Sequence, residues 1–274
     1  QGLDLLHRDA PLGRDEDILL AHPARYLTRV RAASPSTGWT QLDGDTYLSP
    51  GSVTAALHAV GGACAAVDAV LAGEATNAFL AARPPGHHAE SETAMGFCIF
   101  GTVSIAALRA LNHHNLTRVA IVDFDVHHGN GTQDLLWNEP RALFCSSHQM
   151  PLYPGSGSPS ETGAHGQIVN VQLREGTGGG PMREAYETRI FPRIAAWQPE
   201  LILISAGFDA HEADPLAGLD WQTEDFAWLT RRICDLADAH CAGRVVSCLE
   251  GGYDLPALTA SVAAHLGVLQ ERGR

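Results

Sequence analysis

The sequence predicts an α/β fold in which a parallel β-sheet is covered by helices on both faces. Two observations support this prediction. Six short runs are apolar almost throughout, as strands buried on both faces are. Helical patterns lie between most of these runs, and parallel strands need such crossover connections. Because no linker or internal repeat divides the chain, we predict one domain over residues 1–274.

The predicted elements follow one another along the chain. Each strand is rich in β-branched and other apolar residues. The later long helices carry acidic residues early, as in "TEDFAWL". Strands are predicted at "NAFLAAR" (77–83), "RVAIVDFD" (118–125), "RALFCSS" (141–147), "QIVNVQL" (167–173), "ELILISAG" (200–207) and "RVVSCLE" (244–250), and helices near 53–72, 102–114, 182–197, 223–240 and 256–270.

Composition narrows the classes of function. The chain has 18 basic against 31 acidic residues, a formal net charge of −13. This charge disfavours nucleic acid and anionic membranes as partners and favours cationic ligands. All 18 basic residues are arginine, which excludes chemistry that depends on a lysine Schiff base.

The six cysteines show no C-x-x-C spacing, and several lie inside apolar runs such as "VVSCL". They therefore fit buried small hydrophobic residues in a reducing compartment better than disulfides or zinc thiolates. The sequence shows no signal peptide and no apolar run of membrane-spanning length. We expect a cytoplasmic protein.

Five polar clusters follow predicted strands. Since the carboxyl ends of parallel strands meet at one edge of a sheet, where open α/β sheets bind ligands, these clusters should converge. Coincidence explains one such placement but not five. The clusters are "RPPGHHAE", "DFDVHHGNG", "SSHQMPLYPGSG", "SAGFDAHEADP" and "LEGGYD".

Two of the clusters predict a catalytic metal site. On an extended segment Asp125 and His127 project to the same side, and Asp209 comes from another strand end. Three protein ligands with an open position are typical of catalytic rather than structural zinc. A lone Asp-x-His pair usually belongs to a polar loop that binds no metal. The prediction of a metal site therefore depends on Asp209 lying close to the pair.

Further residues predict the groups that a hydrolytic metal site needs. His87 and His88 follow a stiff Pro-Pro-Gly turn and would supply a base, and Asp123 and Asn130 would fix their tautomers. Tyr253 follows two glycines that could act as a hinge. From its own cluster alone, a catalytic phenol and a tyrosine at the core edge are equally supported.

The motifs "RPPGHHA", "GFCIF", "DFDVHHGNGTQD", "SAGFDAHEADPL" and "LEGGYD", in this order, resemble the zinc-dependent histone deacetylase family, in particular its class II-like branch with the bacterial histone deacetylase-like amidohydrolases. The resemblance covers nearly the whole chain. It implies the three-layer arginase/deacetylase fold with a mostly parallel sheet of about eight strands. It also implies a metal-dependent amidohydrolase that removes acetyl or other acyl groups from amines.

The resemblance also implies a role for each matching residue of the catalytic centre. One Zn²⁺ ion per chain is expected, with a structural K⁺ ion near it. The zinc ligands would be Asp125, His127 and Asp209, the catalytic groups His88 (base and acid), His87, Asp123, Tyr253 (oxyanion donor) and Asn130 (Asp in class I), and the potassium site Asp123, Asp125, His127, Ser146 and Ser147.

A narrow tunnel for a linear, lysine-like stem is implied as well. Its walls and its rim would bind the substrate, an acylated lysine-like or polyamine compound or a peptide. Leu216 stands where some polyamine-selective relatives have a gatekeeping glutamate, which disfavours the glutamate-gated type. Polyamine selectivity through a homo-oligomer that narrows the tunnel mouth remains an alternative. The substrate-binding residues would be Asp45, Thr46, Gly96, Phe97, Tyr153, Leu216 and Gly252.

The chain departs from the family pattern in two places. The family's opening segment does not precede Gln1, and "FGTVS" stands where Asn-Asn usually follows the Phe. A two-manganese ureohydrolase is disfavoured because Gly129 and His211 occupy the positions of its extra carboxylates. A catalytically silent protein that binds acylated ligands is disfavoured because every ligand and Tyr253 are present.

Overall fold

A sheet of six parallel strands forms the centre of the protein. A computed structural model describes residues 3–273. The strands are β1 (Thr40–Gln41), β2 (Tyr47–Leu48), β3 (Asn77–Leu80), β4 (Val119–Asp123), β5 (Ala142–Gln149), β6 (Ile168–Leu173), β7 (Leu201–Ala206) and β8 (Val245–Leu249). Their order in the sheet is β3-β8-β7-β4-β5-β6, and β1 and β2 pair as a separate antiparallel hairpin.

The α/β fold with a central parallel sheet is confirmed, and each of the six predicted runs forms a strand of that sheet. The count of about eight strands is corrected to six in the described residues. The physical reason is that only six runs are apolar enough to be buried between two helical layers. In the β1–β2 hairpin Gln41 and Tyr47 are exposed, Thr40 is half-buried and only Leu48 is buried, and the two strands pair only with each other.

The predicted helices also form, although the one near 182–197 is interrupted by a π-helical turn. Three helices were not predicted. The helices at Asp15–Ile18 and Asn130–Leu136 have four and seven residues and are too short to show a helical period. The ten-residue helix Ala24–Ala33 was missed as well, although its Tyr26, Leu27 and Val30 are buried at helical spacing. The helices are α1 (Asp15–Ile18), α2 (Ala24–Ala33), α3 (Ser52–Leu71), α4 (Thr102–Asn112), α5 (Asn130–Leu136), α6 (Gly179–Ala185), the π-helical turn (Tyr186–Ile190), α7 (Phe191–Trp197), α8 (Thr223–Cys241) and α9 (Leu255–Arg272).

Alternate residues of the central strand β4 belong to different cores. Ala120 and Val122 pack in the cluster formed with α6 to α9, whereas Val119 and Ile121 pack in the cluster formed with α3 and α4. This alternation follows from the two-residue period of a strand. It explains why the strands are apolar throughout, and it gives the fold its three layers.

Helix α3 is long and apolar enough to span a membrane by length and composition alone, with a mean hydropathy of 1.5. The prediction that no run has that length is therefore wrong. Of the most apolar window of α3, 61% is buried inside the fold, and Ala63, Val67 and Val70 pack against the sheet. Helices in the cores of globular proteins meet the same criteria. The six cysteines are free and buried, as predicted.

Candidate metal centre and active site

The predicted polar clusters meet at the carboxyl edge of the sheet. Asp123 at the end of β4 lies in register with Ser146 of β5 and Ser205 of β7, so the strand ends are level. Beside them is a cavity of about 220 Å³. A larger depression of about 470 Å³ lies at the β6 edge, but it is more open and lacks histidine and carboxylate side chains. The cavity of the polar edge is lined by Asp45, His88, Gly96, Phe97, His127, Leu152, Tyr153, Leu216 and Tyr253.

The three predicted metal ligands lie together. Asp125, His127 and Asp209 each present one ligand atom, and these atoms are within 4.8 Å of one another. His127 Nδ1 is 3.0 Å from Asp125 Oδ1 and 3.2 Å from Asp209 Oδ2. The segment is bent and not extended as expected, because Asp125 Oδ1 accepts the backbone N–H of His127 at 2.9 Å. This turn brings the two side chains to one side.

The chemistry of these residues fits a divalent cation. Asp209 Oδ2 is buried and accepts no hydrogen bond from the described residues, whereas Asp209 Oδ1 accepts one from the N–H of Val126 and Asp125 Oδ2 one from that of Gly251. A Cβ on Gly251 would lie 2.1 Å from Asp209 Oδ2, so only glycine leaves that oxygen accessible. Carboxylate oxygens and an imidazole nitrogen are among the ligands that Zn²⁺ takes in proteins, and three protein ligands leave a position open for catalysis.

The electrostatics of the two carboxylates agree with this fit. Burial raises the pKa of Asp209 to about 6, and the neighbouring Asp125 adds to the rise. Burial would raise the pKa of Asp125 as well, but the imidazoles of His87 and His127 hold it well below its ordinary value. Two buried carboxylates this close repel each other, and a cation between them relieves that repulsion.

The two adjacent histidines have different partners. His87 Nδ1 lies 3.0 Å from Asp123 Oδ2, and His88 Nδ1 lies 2.7 Å from Asn130 Oδ1. The Asn130 amide donates its Nδ2–H to Glu90 at 2.8 Å, which turns its oxygen towards His88. The hydrogen-bond pattern therefore assigns the proton of neutral His88 to Nδ1 and leaves Nε2 free to accept one.

Their pKa values are displaced in opposite directions. Burial lowers the pKa of His88 well below its ordinary value, and the neighbouring His87 lowers it further. Burial would also lower the pKa of His87, but Asp125 and Asp123 raise it well above that value. Opposite pKa shifts in two adjacent histidines are typical of sites in which two like residues take different acid–base roles.

Tyr253 follows β8 and reaches the same cavity. Burial raises the pKa of its phenol, so the hydroxyl stays protonated at neutral pH. The Arg83 guanidinium lies 5.9 Å from the centre of the Tyr253 ring. The preceding glycines were expected to form a hinge. In the structure the N–H of Gly251 is bonded to Asp125 at 2.8 Å and Gly252 has φ of 135°, so they form a closely packed turn.

The predicted tunnel residues surround the mouth of the cavity. Phe97, Tyr153 and Leu216 are 40%, 39% and 48% exposed, as side chains at an opening are. The Tyr153 ring stands almost perpendicular to the His88 ring, with the centres 5.2 Å apart. Gly96 has φ of 57°, and a Cβ there would lie 2.3 Å from the His88 ring.

The predicted rim residues hold one wall of this tunnel. Asp45 Oδ1 accepts the backbone N–H of Gly96 at 3.0 Å, and Thr46 Oγ1 accepts that of Phe97 at 3.1 Å. The turn between β1 and β2 therefore sets the position of the Phe97 ring. Asp45 itself lines the cavity and gives its rim a negative charge.

The predicted potassium set is only partly gathered by its side chains. Asp123 and Asp125 lie together, but the hydroxyl of Ser146 is 3.0 Å from His148 Nδ1 and that of Ser147 is 2.6 Å from the Tyr186 hydroxyl. Successive residues of a strand face opposite sides, so the two serine hydroxyls cannot reach one ion. A cation there would need their backbone carbonyls.

Two buried acids were not assigned a role from the sequence. Glu250 Oε2 accepts the backbone N–H of Gly86 at 2.6 Å and of His87 at 3.2 Å, and burial raises its pKa to about 7. Asp214 accepts the backbone N–H groups of Tyr253 and Leu216. The available signal was an acid at the end of an apolar run, "VVSCLE", and another inside "HEADPL".

Comparison with known proteins agrees with the geometry. The family model described as the histone deacetylase domain matches residues 3–269. Histone deacetylase 10, chloroplastic, of Oryza sativa subsp. japonica is 41% identical over 261 residues, which are 90% of this chain and 59% of that protein. The histone deacetylase-like amidohydrolase of Pseudomonas aeruginosa is 41% identical over 250 residues, 90% of this chain and 66% of that protein.

A solved structure has the same fold as this chain. The crystal structure of the HDA15 HD domain superposes with a TM-score of 0.91 at 33% sequence identity, and the match covers 96% of this chain and 74% of that one. The family resemblance read from the motifs is thereby confirmed. The chain spans less than two thirds of the length of the rice and Pseudomonas relatives.

Proposed function

Because the chain belongs to the histone deacetylase family, we propose that it is a metal-dependent amidohydrolase that removes acetyl or other linear acyl groups from lysine-like amines. The observation that carries this proposal is the buried trio Asp125, His127 and Asp209, in which Asp209 Oδ2 accepts no hydrogen bond from the described residues. His127 reaches the cavity that His88 and Tyr253 line, so the groups for amide hydrolysis face one space.

The trio would hold one Zn²⁺ ion. Bound there, the ion supplies Lewis acidity to an amide carbonyl and to a water molecule. The same oxygen-rich donor set also suits Fe²⁺ or Co²⁺. A structural K⁺ ion near Asp123 and Ser146 is part of the proposal, through backbone carbonyls.

His88 carries the protons in this mechanism. Its Nδ1–H is held by Asn130 at 2.7 Å, so Nε2 can take a proton from water and later give it to the departing amine. His87 lies 3.0 Å from Asp123 and 3.7 Å from Asp125, and these two carboxylates hold its imidazole beside that of His88. The buried, protonated phenol of Tyr253 donates to the oxygen on which negative charge develops.

The shape of the tunnel selects the substrate. Phe97, Tyr153 and Leu216 favour an unbranched methylene stem, and the Asp45 carboxylate and the charge of −13 favour a cationic substrate over an anionic one. An acetylated polyamine is the second candidate, favoured by this negative rim. We propose neither nucleic acid nor membrane as a partner. A cytoplasmic location is part of the proposal and is supported by the buried free cysteines, which suit a reducing compartment.

A substrate panel tests the proposal. The zinc-loaded protein is assayed with acetyl-lysine peptides, acetylated diamines and longer acyl chains, then stripped with a chelator and reloaded. Hydrolysis that disappears on stripping and returns on reloading is expected. If the metal-loaded protein binds these amides but cleaves none, it is a binding protein and the proposed activity is wrong.

A further inference from the structure

One buried carboxylate joins two sides of the tunnel. Asp214 Oδ2 accepts the backbone N–H of Tyr253 at 2.8 Å, and Asp214 Oδ1 accepts that of Leu216 at 3.0 Å. Tyr253 belongs to the turn after β8, whereas Leu216 lies in the long loop after β7. The main chain of Asp214 is itself fixed by a 2.9 Å bond from its N–H to the carbonyl of His211.

Asp214 is a buried carboxylate whose hydrogen-bond partners are backbone groups. The residue is 6% exposed, and within residues 3–273 its oxygens form no salt bridge and accept hydrogen bonds from two backbone N–H groups. A buried carboxylate without a cationic partner is costly, and here only backbone N–H groups compensate it. Both of those groups belong to residues that line the cavity.

A carboxylate suits this place better than an amide. Each of its oxygens accepts one of the two N–H groups, whereas asparagine has one acceptor oxygen and an NH₂ group that only donates. An Asp214→Asn variant keeps the size of the side chain but can satisfy only one of the two segments. The other N–H then faces a donor and its segment moves away.

We propose that Asp214 is a positioning residue that fixes the Tyr253 phenol and the Leu216 gate relative to each other. This inference rests on the proposed amide hydrolysis. Asp214 does not touch the substrate. It acts through the backbone of the two residues that do, so the width of the tunnel mouth and the placement of the oxyanion donor are set together. A misplacement of about 1 Å at a reacting group can cost on the order of 10²-fold in rate.

A double-mutant cycle tests this coupling. Asp214→Asn should lower kcat by at least about tenfold, and Tyr253→Phe by roughly 10²–10³-fold. If Asp214 acts through the phenol, adding Asp214→Asn to Tyr253→Phe should reduce kcat by less than about twofold more, because the group being positioned is already absent. If the two reductions multiply in the double variant, Asp214 acts elsewhere and the proposal is wrong.

The gate has its own measurement. The measured quantity is the ratio of kcat/KM for a linear acetyl-lysine amide to kcat/KM for an amide branched next to the scissile nitrogen. Asp214→Asn should lower this ratio by about threefold or more, since the Leu216 loop loosens. An unchanged ratio would contradict the gate half of the proposal.

A matched control separates positioning from stability. Asp225 is another buried aspartate, 5% exposed, that accepts the backbone N–H of Gln222 and an Arg183 N–H away from the cavity. Asp225→Asn should lower Tm and leave kcat within about twofold. If it lowers kcat as much as Asp214→Asn does, the effect is one of general stability and the proposal fails. A wild-type chain that hydrolyses no acyl amide refutes the proposed function instead.

Discussion

Asn130 Oδ1 lies 2.7 Å from Nδ1 of His88, and this contact determines which imidazole nitrogen can take a proton. The amide is held in turn by Glu90 at 2.8 Å, so its orientation is fixed from behind. An oxygen in this position accepts and does not donate, which places the proton on Nδ1. The free Nε2 is then the base of the proposed hydrolysis.

Asn130→Ala should therefore lower kcat by about 10–100-fold, the range for losing a group that orients a catalytic or metal-bound imidazole. Stability should fall by about 1–3 kcal/mol, because the buried His88 N–H loses its acceptor. The exposed Asn138→Ala is the control and should change neither quantity. Steady-state kinetics and thermal unfolding of both variants provide the comparison, and a kcat close to that of the wild type in Asn130→Ala would contradict the assignment of the base.

Tyr253→Phe removes one hydroxyl and keeps the ring between Phe97 and Arg83. Turnover should fall by roughly 10²–10³-fold, as for the loss of one oxyanion donor, with a smaller change in substrate affinity. Single-turnover rates and inhibitor binding separate the two effects. Wild-type turnover on every amide tested would remove Tyr253 from the mechanism.

Leu216→Glu tests the alignment of the tunnel mouth. Leu216 lines the cavity and is 48% exposed, so a carboxylate there would face an entering substrate. The ratio of kcat/KM for an acetylated polyamine to that for an acetyl-lysine peptide should rise, because the new charge pairs with a secondary ammonium. Leu255→Glu, at another exposed leucine that does not line the cavity, serves as the control. An equal ratio in wild type and Leu216→Glu would place Leu216 outside the gate.

The stability of the fold should depend on pH through two buried histidines that are not among the predicted metal ligands. Burial lowers the pKa of His22 from 6.5 to about 4 and that of His265 from 6.5 to about 3. Between these values and 6.5 the unfolded chain binds more protons than the folded one, so the stabilisation is present above pH 6.5 and is lost as the pH falls. At about 1.36 kcal/mol per pKa unit, the two residues together account for several kcal/mol.

Urea unfolding between pH 4.5 and 6.5 measures this dependence. His265→Gln should lower the free energy of unfolding at pH 7.5, since the bonds to Thr230 and Ser247 are lost. It should also reduce the slope of that free energy with pH, because glutamine takes up no proton. His113→Gln, at an exposed site, should leave the slope unchanged. If the slopes of wild type and His265→Gln are equal, the buried neutral imidazole is not responsible for the acid sensitivity.

Much of the fold and of the metal trio could be predicted from the sequence because the signals are local. The strands are continuous apolar runs, and the ligands Asp125 and His127 follow one of them directly. Asp209 was found because parallel strands end at the same edge. The bend at residues 125–127 was not predicted, because a hydrogen bond from one residue to its second neighbour leaves no mark on apolar periodicity.

The residues that support the site could not be assigned from the sequence for another reason. Glu250 bonds to backbone 164 residues away and Asp214 to backbone 39 residues away. A backbone N–H is present at almost every residue, so its acceptor has no partner residue type that a sequence could reveal. The sheet has six strands and not the expected eight because only six runs are apolar enough to be buried between helices, and the β1–β2 turn lies outside it and holds Gly96 and Phe97.

Above all, we propose that Asp125, His127 and Asp209 hold one catalytic metal ion. Elemental analysis of the purified, zinc-loaded chain, compared with Asp209→Ala, tests it most directly, because metal content can be read without any assumption about substrate. We expect one transition-metal ion per chain in the wild type. Asp209→Ala should lose both that ion and the amide hydrolysis. Two ions per wild-type chain, or one ion retained in Asp209→Ala, would contradict the assignment of the site.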